Sequence, residues 1–393
     1  MLAMAGLPIY IHAPKVYAET WGISLGLLGA VLFGLRLFDL VQDPALGWLV
    51  ARLGRARGAA MAAATAVMAL AMAGLFAVTP PIAPVLWFAL TLALLFTAYS
   101  FLTIAFYARG VARGAAMGPG GDLRLAGWRE GGALAGVCLA AMAPGLLGTF
   151  SQTPYAAFAA LFALTCALAA LAMRAEWHGP AAVAPTGFRA VLRDPVARGL
   201  LALALVNAAP LAVTSTLFLF FVESRLEAAG WEGPLLILFF LSAAAAAPAW
   251  ARAARQRPAR PVLLVAMVLS ILSFGVAATL GPGDLVAFAI VCMVSGVMLG
   301  ADMVILPALF SRRLAAIAPD AGTGFGMWSF ATKFTLAFAA AILLPVLQAS
   351  GFRTGADNPA DALRTLTVLY ALVPCALKLA AIALLMVTRL PED

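Results

Sequence analysis

The chain has 393 residues, of which 64% are hydrophobic and only 11% are charged. Its mean hydropathy is +1.02. Soluble domains are roughly a quarter charged, so a water-soluble fold of this length could not cover its surface with so few polar groups. The composition argues against a cytosolic enzyme, a secreted disulfide scaffold and a disordered tail, and it predicts a polytopic membrane protein.

The net charge of +8 has a simpler explanation than nucleic-acid binding. Membrane proteins collect Lys and Arg on their cytoplasmic loops, so we expect no nucleic-acid partner. The cysteines stand singly in apolar runs without metal-ligand spacing, and we interpret them as small packing residues. They are Cys138, Cys166, Cys292 and Cys375.

Apolar runs of spanning length predict an all-α polytopic membrane fold with twelve transmembrane helices, because a chain in lipid must satisfy its own backbone hydrogen bonds. Helix 1 is expected to be shortened at its N-terminus, since Met1 already lies in apolar sequence. The runs fall at residues 2–18, 23–50, 58–79, 83–108, 124–148, 154–174, 198–222, 233–251, 260–281, 285–310, 324–348 and 362–388.

The distribution of arginine orients these helices. With the N-terminus inside, the cytoplasmic loops and the C-terminus would hold seventeen arginines and the opposite side three. Positive charge collects on the cytoplasmic side of membrane proteins. We therefore expect a multi-pass protein of the inner (cytoplasmic) membrane with both termini in the cytoplasm.

The longest predicted loop, residues 175–197, contains the Pro and Gly residues typical of a linker. It would separate an N-terminal six-helix bundle, residues 1–174, from a C-terminal six-helix bundle, residues 198–393. An Ala-Arg-x-x-Arg sequence recurs after predicted helix 2, at residues 51–55, and after predicted helix 8, at residues 251–255. Two related halves with a site between them are an established transporter architecture.

Ionisable residues inside the predicted crossings point to function. Such a group near the middle of a bilayer costs about 2.5–3.5 kcal/mol on insertion scales, so these residues should face protein or water and compensate one another. They are Arg36, Asp39, Asp43, Arg129, Glu130, Asp302, Lys333 and Lys378.

Predicted helix 2 contains the most informative group. Asp39 and Asp43 share one helix face, with Arg36 one turn before them and Gly47 one turn after. Two carboxylates so close cannot both ionise cheaply unless a cation lies between them. A pair that binds H+ or a small cation, and changes its charge in doing so, has the chemistry that cation coupling requires. Pro44 weakens the helix there and leaves a carbonyl oxygen available.

Predicted helices 5 and 11 carry further charged groups. Lys333 is the only charge in predicted helix 11 and could neutralise nearby carboxylates when the cation is absent. Arg129 and Glu130 are adjacent and point about 100° apart on a helix, so Arg129 could face a cavity while Glu130 pairs elsewhere. The alternative is that all these charges form static ion pairs that fix helix packing.

The sequence around predicted helix 2 carries a family resemblance. Residues 47–55 resemble the Gly-x-x-x-Asp-Arg-x-Gly-Arg loop signature of the major facilitator superfamily, with Ala51 at its acidic position. Residues 36–48 match Arg-x-x-Asp-x-x-x-Asp-Pro-x-x-Gly-Trp, the helix 2 motif of the glycoside-pentoside-hexuronide:cation symporters, which are similar to the melibiose carrier. Arg129 and Lys333 also fit that family. The resemblance implies two six-helix bundles and cation-coupled sugar symport by alternating access.

The resemblance also implies the cation ligands. Asp39 and Asp43 would bind the coupling ion, Na+ or H+, with Lys333 as their neighbour, and Thr103 would offer a further oxygen. Ala3 and Thr103 stand where the melibiose carrier has aspartates on helices 1 and 4. This loss of charge argues against melibiose itself and favours H+ as the coupling ion.

Other residues receive solute-binding or gating roles. Arg129 would contact the substrate, and Tyr107 stands where the family has an aromatic platform for the sugar ring. Three further residues are expected to line the cavity, namely Tyr10, Trp328 and Asn207. Four more are expected to act as structural or gating charges, namely Arg36, Arg52, Arg55 and Glu130.

These observations favour a cation-coupled symporter whose expected partners are a small-molecule solute and the lipid bilayer. We expect a monomer with no cofactor other than the coupling ion. Two alternatives stay open: a non-transporting facilitator-fold protein for assembly or for lipid or pigment handling, and a proton-coupled exporter. A membrane enzyme is not expected, because the sequence has no nucleophile elbow, metal-binding motif or nucleotide motif.

Overall fold

A computed structural model describes residues 1–177, 187–318, 321–353 and 358–391 of the chain. These residues form helices joined by short connections, and no strand occurs among them. The predicted all-α fold is therefore confirmed.

The first half of the chain forms helices close to the predicted positions. Short 3-10 turns at Leu2–Ala5 and Gly54–Ala56 accompany them. The helices are α1 (Leu7–Trp21), α2 (Leu25–Arg52), α3 (Arg57–Phe76), α4 (Pro84–Ala116), α5 (Gly121–Leu147) and α6 (Pro154–Trp177).

The second half continues the pattern after a short helix, α7, in the central loop. Two of its crossings contain a π-helical turn, Phe221–Arg225 after α8 and Val368–Leu372 between α13 and α14. The helices are α7 (Gly187–Arg193), α8 (Pro195–Phe220), α9 (Glu232–Gln256), α10 (Ala259–Ala277), α11 (Leu285–Ile317), α12 (Gly322–Ala349), α13 (Ala360–Thr367) and α14 (Val373–Val387).

Within the described residues, ten helical segments are long and apolar enough to cross a membrane. The two other predicted crossings are α1 and α2. The first has 15 residues and begins at Leu7, after a 3-10 turn at Leu2–Ala5. The second has 28 residues but carries Arg36, Asp39 and Asp43 in its interior.

Local sequence explains where several helices begin. The hydroxyl of Ser24 accepts a hydrogen bond from the Leu27 N–H and caps α2. The Asp194 carboxylate caps α8 by accepting a bond of 2.7 Å from the Ala197 N–H. Pro195 then takes the first helical position, where its missing N–H costs nothing. As a result α8 begins a few residues before the predicted start at residue 198.

One compact unit comprises Met1–Ala112, Ala135–Val191 and Leu314–Phe330. Within it α3 packs along α6. The rings of Tyr17 and Phe88 lie 4.8 Å apart in its buried interior.

The other compact unit comprises Arg113–Leu134, Leu192–Arg313 and Ala331–Asp393. Within it α14 packs against α8 and α10. The rings of Phe221 and Tyr370, one from each π-helical turn, stack with centroids 4.2 Å apart in an apolar core.

The predicted linker, residues 175–197, contains the end of α6, the short helix α7 and the start of α8. Residues 178–186 of it lie outside the described residues. The assignment of residues 1–174 and 198–393 to two six-helix bundles stays a prediction at this point.

Candidate functional site

The predicted acid pair lies in the middle of α2 and is buried. Asp39 is 3% exposed and Asp43 is completely buried. They are four positions apart, so both carboxylates lie on the face of α2 that packs against protein. The helix continues through Pro44, which has no N–H to donate to the carbonyl one turn earlier.

A chain of hydrogen bonds connects Asp39 to α4. The amide nitrogen Nε2 of Gln42 donates to Oδ1 of Asp39 over 2.6 Å. The amide oxygen of Gln42 in turn accepts a bond of 3.0 Å from the hydroxyl of Thr97. Gln42 and Thr97 are neutral groups, and the amide of Gln42 links the carboxylate of α2 to the hydroxyl of α4.

The second acid is connected to α12. The hydroxyl of Ser329 donates a short hydrogen bond to Oδ2 of Asp43. Lys333 follows Ser329 by one helical turn and is half-buried, in a part of α12 that belongs to the other compact unit. Its proximity to the acid pair stays a prediction.

Glycines allow α2 and the first turns of α12 to touch through their backbones. A Cβ atom on Gly47 would lie 2.6 Å from the carbonyl oxygen of Gly322 and 2.9 Å from Cα of Gly326. A Cβ atom on Gly326 would lie 2.8 Å from the carbonyl oxygen of Asp43. Residues 322 and 326 form a Gly-x-x-x-Gly pair, the spacing that lets helices in a membrane approach closely. This approach brings Ser329 to Asp43.

Two further predicted residues, Thr103 and Tyr107, follow Thr97 along α4. The hydroxyl oxygen of Thr103 is buried and has no hydrogen-bond partner within the part of the chain that the structure describes. An oxygen in this state is available to a ligand. The Tyr107 ring packs against Phe325 of α12, with ring centroids 5.0 Å apart.

Side chains are described for only some of the remaining predicted residues of the first compact unit. Trp328 and Arg36 are half-buried. Arg52 lies over the ring of Trp48 in its own helix, 3.9 Å from the ring centroid. The side chains of Tyr10 and Arg55 lie outside the described residues.

Arg129 and Glu130 do not diverge as the helix geometry suggested. Nε of Arg129 donates to Oε1 of Glu130 over 2.8 Å, and both side chains are buried. The expectation that Glu130 pairs away from Arg129 is therefore wrong, whereas a cavity role for Arg129 stays a prediction. The long Arg side chain curls back along the helix surface, which the 100° angle between adjacent Cβ atoms did not take into account.

The structure brings together three polar residues of the second half that sequence reasoning left apart. Nζ of Lys378 in α14 donates to Oδ1 of Asn207 in α8 over 2.7 Å and to Oδ2 of Asp302 in α11. Asn207 and Lys378 are both buried. This cluster explains how two isolated intramembrane charges are accommodated, since each neutralises the other.

Two consecutive arginines at the end of α11 bind carboxylates at helix starts. Arg312 pairs with Asp122 in the first turn of α5 at 2.9 Å. Nε of Arg313 donates to the cap residue Asp194 over 2.9 Å. The hydrogen bonds from Arg313 hold the pKa of the Asp194 carboxyl below its usual range.

Sequence reasoning missed the neutral partners of the acid pair. Gln42, Thr97 and Ser329 were not singled out, although each could have been found by position. Gln42 lies between the two acids, and Ser329 lies one turn before Lys333. Polar residues that share a helix face with an intramembrane charge are the signal that identifies them.

Comparison with known proteins gives a family match over nearly the whole chain. The model of the family described as MFS/sugar transport protein matches residues 1–392. None of the curated protein sequences compared with this chain matches it.

Solved structures that resemble this chain include two transporters. A bacterial homologue of the iron transporter ferroportin, in an outward-facing state, aligns with a TM-score of 0.72 and 14% identity over 98% of this chain and 96% of its own. The human organic anion transporter MFSD10 (TETRAN) aligns with a TM-score of 0.61 and 19% identity over 94% and 90%. At these identities the likeness establishes the major facilitator fold alone.

Proposed function

Because the chain belongs to the MFS/sugar transport protein family, whose model spans residues 1–392, we propose that it couples the uptake of a small solute to H+ or Na+. The family and the helices support a multi-pass membrane transporter. The proposal adds the coupling ion, a sugar-like or glycoside-like solute, and the residues that bind each.

The observation that carries the proposal is the buried pair Asp39 and Asp43 in α2, with neutral hydrogen-bond donors on both acids. A buried doubly charged pair is costly, so one proton or one Na+ stabilises it strongly. Binding of the coupling ion therefore changes the net charge of the site by one unit. The unpartnered hydroxyl of Thr103 is proposed as a further oxygen for this ion, and Lys333 as the charge that replaces it.

The contact between α2 and α12 supports a link between ion binding and conformational change. Ser329 occupies Oδ2 of Asp43, one of the oxygens that a cation would use. A cation at this oxygen weakens the Ser329 bond, and with it the close approach at Gly47 and Gly326. We propose that the ion in this way biases alternating access between two six-helix bundles, residues 1–174 and 198–393, joined by the linker 175–197.

The proposed solute contacts are Arg129, Tyr107, Tyr10, Trp328 and Asn207. The face of Tyr107 would receive the apolar face of a sugar ring, the usual role of an aromatic side chain in such a site. We propose Arg36, Arg52, Arg55 and Glu130 as structural or gating charges. In this proposal the protein is a monomer of the inner membrane with both termini in the cytoplasm.

The experiment that tests this function is an uptake screen with purified protein in liposomes. Sugars, glycosides, organic acids and lipids are offered while Na+ and pH gradients are imposed separately. The proposal predicts accumulation of at least one polyhydroxylated solute with one of the two gradients. Flux that requires the opposite gradient would instead identify an exporter, and no gradient-dependent flux of any solute would contradict the proposal.

A further inference from the structure

A basic cavity of about 290 Å³ lies inside the second compact unit, which does not contain the acid pair. Four helix ends meet around it: the starts of α5 and α10 and the ends of α9 and α11. The residues that define its chemistry are Gly120, Leu123, Arg255, Arg257, Pro258 and Arg312.

The lining of the cavity is positively charged. Arg255 and Arg257 are exposed at the end of α9, and Arg312 of α11 also lines the cavity. None of the residues that line the cavity is acidic. The carboxylate of Asp122 is adjacent and holds Arg312 through its ion pair of 2.9 Å. Because Arg312 is paired in this way, Arg255 and Arg257 are the two arginines whose charges act on the cavity.

Backbone groups add to this positive potential. Gly120 directly precedes the first residue of α5, and Pro258 directly precedes the first residue of α10, where no side chain caps the helix. The first N–H groups of a helix lack partners within the helix and carry the positive end of its dipole. The start of α10, whose first turn has no acidic residue, therefore favours an anion in the cavity.

Gly120 is required for this geometry. Its φ of +72° lies in the left-handed region, which an L side chain rarely adopts. A Cβ atom there would lie 2.9 Å from Cδ of Arg255. The glycine thus lets the aliphatic part of the Arg255 side chain lie against the residue that precedes α5.

We infer that this cavity binds a phosphate group, carried either by an anionic phospholipid headgroup or by a free phosphate. Arginines match phosphate oxygens with paired hydrogen bonds, and helix N-termini supply further donors. Basic residues next to membrane-spanning helices attract anionic lipids. The bound phosphate would hold α5 against α9, α10 and α11 and so stabilise the folded protein. The binding itself does not depend on the proposed transport function.

The test uses purified full-length protein in phosphatidylcholine nanodiscs, with the thermal unfolding midpoint as the readout. One arm adds inorganic phosphate against chloride at equal ionic strength. The other arm replaces part of the lipid with phosphatidylglycerol in phosphate-free buffer. The inference predicts a rise of the midpoint in at least one arm. A rise in one arm alone identifies the source of the phosphate group and supports the site equally.

Variants locate the effect. A double variant, Arg255→Gln with Arg257→Gln, should need about tenfold more phosphate or phosphatidylglycerol for the same rise. Arg252→Gln removes an exposed charge from the same helix outside the cavity and should bind as the wild type does. Equal stabilisation by chloride and phosphate, with no response to phosphatidylglycerol, would overturn the inference. An equal loss in the control and the double variant would also overturn it.

Discussion

Gly326→Ala tests the close approach of α2 and α12, because it adds a single methyl carbon at the contact. The added methyl carbon would lie 2.8 Å from the carbonyl oxygen of Asp43 and 3.0 Å from Cα of Gly47. Both of these atoms belong to the backbone, so no side-chain rotation relieves the contact. The helices must separate or the variant must lose this packed arrangement.

The size of the effect follows from these distances. Carbon and backbone oxygen approach to about 3.3–3.6 Å in ordinary contacts, so the helices must move apart by roughly 0.5 Å or more. Overpacking of this kind costs about 1–3 kcal/mol. Alanine favours the helix itself by about 1 kcal/mol over glycine, which offsets part of the cost. Gly34→Ala in α2 gains the same propensity with nothing within 4 Å of its Cβ, so the difference between the two variants isolates the packing cost.

Cysteine labelling measures the separation directly. Thr323 lies in the first turn of α12 and is completely buried. In a background whose native cysteines are replaced by serine, Thr323→Cys should react slowly with a membrane-permeant maleimide. Adding Gly326→Ala should raise this rate about tenfold, the factor that corresponds to about 1.4 kcal/mol. Adding Gly34→Ala should leave the rate unchanged. Equal rates with the two alanines would refute the packing argument.

Two further predictions concern charges away from the acid pair. Lys378→Met leaves the Asp302 carboxylate without its counter-charge and should lower stability by about 3–5 kcal/mol, whereas adding Asp302→Leu should restore most of the lost stability. Thermal unfolding of both variants in detergent measures this, and a double variant no more stable than Lys378→Met would contradict the prediction. Because Arg313 lowers the pKa of Asp194, this carboxylate contributes stability above its unfolded pKa of about 3.9 and loses it as the pH falls through the lower folded value. The stability difference between the wild type and Asp194→Asn should therefore be constant from pH 5 to 8 and shrink only in more acidic solution. Unfolding midpoints of both proteins across this range measure the difference. A difference that already falls between pH 8 and 6 would show that another group is responsible.

The helices of this fold could be predicted from the sequence because hydrophobic length in a membrane leaves few choices. The ends of α3 and α6 lie close to the predicted bounds for this reason, whereas α4 continues to Ala116, beyond the predicted end at residue 108. The start of α8 was less predictable, because a cap and a proline at Asp194 and Pro195 extend the helix beyond its apolar run. Capping chemistry, not hydropathy, fixes such a boundary.

The partners of the intramembrane charges could not be predicted in the same way. Helical periodicity placed Asp39 and Asp43 on one face, and the structure keeps them there. Periodicity could not indicate that Asp302 would contact Lys378, because that contact depends on which faces of α11 and α14 turn toward each other. Periodicity gives the face of a helix, whereas the neighbour across it is set by packing of the whole bundle.

The central claim is that the acid pair in α2 binds the coupling ion, and Asp43→Asn tests it most directly. The measurement compares gradient-driven accumulation with solute exchange in liposomes, using the solute that the uptake screen identifies. Asp284→Asn, which removes an exposed loop carboxylate, serves as the matched control. The account predicts that Asp43→Asn abolishes accumulation but keeps exchange, while the control variant both accumulates and exchanges the solute. Accumulation by Asp43→Asn at the wild-type level would contradict it.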